Sequence, residues 1–135
     1  MECSELASAL RSLREGDLSV RLDDNDPAGQ EYNRLVSQLA EMNGEIRRIC
    51  NEIGVQGYFG GQAELPDLRG DWEALVKDVN LAGYNLTLQM RVIAKVAAAK
   101  AAGDMSMRIT LPATGETQAA FDAINAIGSQ PVPVA

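Results

Sequence analysis

The 135-residue chain carries 19 acidic against 12 basic side chains, a formal net charge of −7, so nucleic-acid backbones and anionic membrane surfaces would repel it at long range. Aromatic residues make up only 4%, a balance suited to long helices packed in thin, elongated bundles rather than to a thick core. With no histidine, the commonest general base, metal ligand and phospho-acceptor is missing, and Cys3 and Cys50 form no C-x-x-C pair for zinc or redox chemistry. No apolar run reaches the roughly 18 residues of a membrane span, and Met1 to Ser12 lacks the pattern of a secretory signal. The expectation is a cytoplasmic, non-enzymatic chain without metal, cofactor, nucleic-acid partner or direct membrane insertion.

In chain order, Leu6, Leu10 and Leu13 form a helical stripe that Gly16 should terminate. The period then changes to two: Leu18, Val20 and Leu22 alternate with polar residues, as in an extended segment that buries one side. Pro27 opens a second helix with Asp26 as its predicted cap. Leu35, Leu39, Met42, Ile46, Ile49 and Ile53 follow in alternating steps of four and three, an a/d heptad seam that predicts one continuous helix from about Gly29 to about Gln56.

Gly57 ends that helix, and Gly57 to Leu65 forms the middle connector, followed by Pro66 and a predicted cap at Asp67. Leu68, Trp72, Leu75, Val79, Ala82, Leu86, Met90, Ile93 and Ala97 carry a similar seam up to Gly103. Two successive four-residue steps around Leu86 make a stutter, which shifts the inward face of a helix. Beyond Gly103, Met105, Met107 and Ile109 alternate like the first connector. Pro112 and the predicted cap Thr114 lead into a last helix containing Phe121 and Ile124, which stops at Gly128.

Gly16-Asp17-Leu18-Ser19-Val20-Arg21-Leu22 reappears as Gly103-Asp104-Met105-Ser106-Met107-Arg108-Ile109, so the chain divides into three helix-connector-helix units of similar length. These are residues 1–43, 44–82 and 83–128, with a flexible tail at 129–135. About 12 extended residues reach up to about 40 Å, whereas a 14-residue helix is only about 21 Å long, so each connector can run back and start its second helix parallel to the first. One chain supplies two helices per unit, too few to bury such a seam, which points to a parallel homodimer of successive four-helix coiled-coil bundles.

The connector starts at Gly16 to Leu22 and Gly103 to Ile109 resemble those of HAMP domains, the linkers of bacterial chemoreceptors, sensor histidine kinases and adenylyl cyclases. Gly60-Gly61-Gln62-Ala63-Glu64-Leu65, Gly70-Asp71-Trp72 and Val79-Asn80 resemble units of poly-HAMP arrays in soluble hybrid histidine kinases. Apolar-Asn pairs at Met42-Asn43, Val79-Asn80 and Ile124-Asn125 fall at matching places in the second helices. The likeness spans Ser4 to Ile127, although the middle connector lacks the Asp and Ser that follow the glycine in the other two. It implies a relay of small helix rotations from an input domain before Glu2 to an output domain after Ile127. A passive dimerisation scaffold that never switches is the alternative. Ala82, Ala97 and Ala120, read as inward, fit the underfilled core that two-state packing needs.

Other features point to structure. Asp23, Asp24 and Asp26 miss the spacing of a calcium loop, since Pro27 and Ala28 stand where a ligand and a glycine belong. Gly60-Gly61-Gln62 matches the release-factor tripeptide but sits in an acidic chain unsuited to tRNA. Trp72 is read as core, Cys50 as partly buried, and Glu45 with Arg48 as a surface pair worth a few tenths of a kcal/mol.

Overall fold

The computed structural model describes residues 1–129 and contains four α-helices and no strands among them. They are α1 (Cys3–Arg14), α2 (Pro27–Asn51), α3 (Gly70–Ala101) and α4 (Gly115–Ala126), so the fold is all-α. No helix among the described residues is long and apolar enough to cross a membrane. Apart from Ser129, the tail predicted at 129–135 lies outside the described residues. Two compact units divide the chain, Met1–Asn80 and Leu81–Ala135, and α3 contributes to both.

The helix ends follow from the glycines. Gly16 and Gly103 take φ of 94° and 100°, the left-handed conformation that costs glycine nothing. Around each, the same pair of bonds closes the last turn: Gly16 N–H to Leu13 O and Asp17 N–H to Ser12 O, then Gly103 N–H to Lys100 O and Asp104 N–H to Ala99 O. This is a Schellman closure, in which the backbone itself satisfies the last carbonyls. α2 ends otherwise. It runs on through a five-residue π-helical turn, Glu52–Gln56, where Gly57 N–H reaches back five residues to Glu52 O, one more than in an α-helix, and Tyr58 N–H bonds to the same oxygen at 2.7 Å.

The helix starts agree only in part with expectation. Asp26 caps α2 by accepting from Ala28 N–H, with Pro27 in the first helical turn. Asp67 does not cap α3: it lies in a turn, and the helix begins at Gly70. Thr114 occupies the position before α4 in an extended conformation, but its side chain makes no capping bond.

The connectors form no strand ladder, yet they alternate. Leu18, Val20 and Leu22 are half-buried while Ser19 and Arg21 are exposed. In the third connector Met107 is half-buried and Ile109 buried, and Met105 stays exposed, one step short of the predicted run. The first connector lies against both of its helices, since Leu18, Val20 and Leu22 pack with Leu6, Ala9 and Leu13 of α1 and with Tyr32 and Val36 of α2. The early turns of α2 therefore lie beside α1.

Three apolar clusters result, each built from a helix, a connector and a following helix. Ala9, Tyr32 and Val36 centre the first, which Leu6, Leu13, Leu18, Val20 and Leu22 complete. Met42, Ile49, Ala63, Leu68 and Val76 form the second, and Val96, Ile109 and Phe121 the third. Burial of side chains such as Ile49 and Phe121, each 1% exposed, stabilises a fold by about 1.5–3 kcal/mol apiece.

Candidate functional site

One interaction recurs in all three connectors. Leu22 N–H donates to Asn33 Oδ1 at 2.8 Å, and Asn33 Nδ2 donates back to Leu22 O at 2.8 Å. Asn80 does the same for Ala63, at 2.8 and 3.1 Å, and Asn125 for Ile109, at 2.7 and 3.0 Å. An amide side chain carries one acceptor and a donor side by side, so it can pair with both polar groups of a single residue as a strand neighbour would. Each clamped residue stands six positions after its glycine: Leu22 after Gly16, Ala63 after Gly57, Ile109 after Gly103. Part-buried backbone groups with no strand partner are thereby satisfied.

This corrects one expectation. Asn80 and Asn125 do belong to matching pairs, but the third member is Tyr32-Asn33; Asn43 is exposed and forms no such clamp. Tyr32 adds its own tie, donating from its buried hydroxyl to Ala9 O at 3.2 Å. In the third cluster Lys100, only 5% exposed, donates from Nζ to Ile127 O at 2.9 Å beyond the end of α4.

The repeated Asp and Ser also have a physical role. Asp17 Oδ1 accepts from both the N–H and the hydroxyl of Ser19, and Asp104 Oδ1 does so from Ser106. These Asx turns fix the departure of the outer connectors, and the bonds from Ser hold both carboxyls below the usual aspartate range.

The middle connector, which lacks both residues, is held by charge. Arg48 grips both oxygens of Glu45 and bonds to Glu52, and it donates to Gln62 O at 2.9 Å. Glu45 in turn accepts from Glu64 N–H at 3.0 Å. The hydrogen bonds from Arg48, then that from Glu64, lower the Glu45 carboxyl from 4.5 to about 2, and the two glutamates raise the Arg48 guanidinium. The pair read as surface decoration thus anchors a connector.

The structure gathers most of the predicted positions. Leu13, Leu18 and Leu22 pack in the first cluster; Leu39, Met42, Ile46, Ile49, Leu65 and Val79 in the second; Ile93, Ile109, Phe121 and Ile124 in the third. Gly16, Gly57 and Gly103 terminate helices with positive φ. Leu10, Leu35, Trp72, Leu75, Leu86, Met90 and Met105 lie outside these clusters and are exposed on the single chain, Trp72 by 42% and Leu75 by 45%. Trp72 is therefore not part of the chain's own core. Ala82, Ala97, Ala120 and Cys50 are exposed on the single chain as well.

The acidic group of the first connector is occupied with structure. Asp23 accepts from Asn25 N–H, Asp24 from Asn33 Nδ2, and Asp26 caps α2 and binds the N-terminal amine. An open groove of about 800 Å³ borders α2 between Arg21, Arg34, Glu41 and Asp67; its walls mix both signs of charge, which selects no ligand class. No protein-family model matches the chain, and no solved structure matches it.

Proposed function

We propose that this chain is a signal-relay module of HAMP-like units, which pairs in parallel with a second copy and passes helix rotations from an input domain to an output domain. The carrying observation is α2. Its Tyr32 and Val36 serve the first cluster and its Met42 and Ile49 the second, and on a helix of 3.6 residues per turn these two faces differ by roughly a quarter to a third of a turn. A rotation that improves one core therefore disturbs the other, which is the coupling a relay requires. The exposed heptad positions support the dimer, because Leu35 on α2 and Leu75, Leu86 and Met90 on α3 are apolar side chains that the single chain leaves uncovered and that a second copy would cover.

On this reading the chain serves a cytoplasmic bacterial chemoreceptor or sensor histidine kinase, and catalysis belongs to attached or associated domains. Single cysteines at Leu39 and, separately, Met90, in a background lacking Cys3 and Cys50, should form disulfides rapidly across the dimer on oxidation. Failure at both positions with helicity intact would remove the parallel dimer and the HAMP reading with it. Deleting four residues at Leu86 distinguishes the relay from a fixed scaffold: a relay changes its cross-linking pattern at Leu39 as well as at Met90, whereas a scaffold changes only locally.

A further inference from the structure

We propose that Glu45, Arg48 and Glu52 form an electrostatic latch that fastens the middle connector to α2 and can release it while Asn80 keeps the same connector on α3. Three consecutive residues are tied in alternation. Gln62 O accepts from Arg48 and Glu64 N–H donates to Glu45, both toward α2, while Ala63 between them is held at both polar atoms by Asn80. Among the described residues, no side chain of α1 or α3 bonds in this way to the backbone of the first or third connector. Among the described residues, only the middle connector has backbone groups hydrogen-bonded to side chains of both flanking helices.

The two ties differ in chemistry. The Asn80 amide is neutral and part-buried, whereas the latch depends on a bidentate Arg-carboxylate fork with Arg48 42% and Glu45 28% exposed, so salt or loss of the guanidinium weakens the latch first. Glu52, its last member, is also the first residue of the π-helical turn. Such a turn holds one residue in excess of the α-helical count, and it gives α2 a place to change phase once the latch is open. Gly61 permits the close approach: a Cβ there would stand 2.8 Å from Glu52 Oε2 and 3.3 Å from Ile49 Cδ1. The latch is a property of the middle connector whether or not the chain relays a signal.

Amide hydrogen exchange measured by NMR on the whole chain tests it. Raising salt from about 0.05 M to about 1 M should speed exchange at Glu64 N–H by ~10-fold or more while Ala63, Leu22 and Ile109 change by less than ~3-fold. Arg48→Met should reproduce that pattern at low salt, and Arg48→Lys should fall between, because an ammonium cannot make the fork. If Arg48→Met loses its helicity, the salt series on the unaltered chain decides alone. Exchange at Glu64 that ignores salt overturns the latch. So does acceleration of Ala63 in step with Glu64, since the connector then has one tie rather than two.

Discussion

The outer connectors and the middle one meet the same demand by different means. The first and third leave their helices through a Schellman closure and an Asx turn made by residues two apart, Asp17 with Ser19 and Asp104 with Ser106. The middle one leaves through a π-helical turn and is held by contacts 14 and 19 residues distant, Arg48 to Gln62 and Glu64 to Glu45. What all three share is the asparagine clamp. The fold thus demands a pair of polar atoms opposite the clamped residue, and it leaves the exit from the helix free to vary. Local turns set how the outer connectors leave their helices, whereas tertiary charges tie the backbone of the middle one to α2.

Three changes break or sharpen this contrast. The largest effect is expected from truncating a core residue: Phe121→Ala in the third cluster should cost about 3–5 kcal/mol in urea unfolding, and Ile49→Ala in the second about 2–5 kcal/mol. If the clusters are separable, Phe121→Ala leaves amide protection at Leu22 and Ala63 unchanged; a loss there as well would show one cooperative core. Next comes the clamp. Asn80→Ala, Asn33→Ala and Asn125→Ala each strand two part-buried backbone groups and should cost about 1–3 kcal/mol by thermal unfolding. Loss at Asn80 alone would mean that the outer connectors do not need the feature they share in geometry.

The smallest effect concerns acid. The folded chain holds the Glu45 carboxyl below its ordinary value, so folding is favoured while that group is ionised. This contribution is complete above about 4.5 and disappears as pH falls toward about 2. Glu45→Gln should flatten that part of the stability profile and leave the contribution of Asp17 and Asp104, whose carboxyls are also held low. An unchanged acid profile would place Glu45 outside the forces that hold the middle connector.

Much of the architecture was legible because it is written in local signals. Glycines ended helices where the apolar stripes ran out, and the period-two alternation of Leu18, Val20 and Leu22 marked an extended segment buried on one side. Tertiary geometry hid the rest. Asn33 lies 11 residues from its clamped partner, whereas Asn80 and Asn125 lie 17 and 16 away, so no single spacing along the chain singles it out, and Met42-Asn43 offered an apolar-Asn pair in the same helix. Arg48 looked like an ordinary i,i+3 partner of Glu45, and nothing local reveals that Gln62 O waits beside it. Trp72 and Leu75 matched a core pattern, but a heptad stripe states only that a face is apolar. Whether the chain's own side chains cover it depends on where the connectors pack.

The clamp also implies where this chain can change length. The interval from each glycine to its clamped residue is six in all three connectors, while the interval from the clamped residue to its asparagine varies from 11 to 17. An added or lost residue on the glycine side turns the extended segment over, presenting its polar edge to the core and carrying the clamped residue away from its asparagine. The same change on the far side only lengthens or shortens a surface loop at a small entropic cost. Insertions should therefore be tolerated around Asp24 and Asn25, near Asp67, and near Thr114, and rejected between Gly16 and Leu22, between Gly57 and Ala63, and between Gly103 and Ile109.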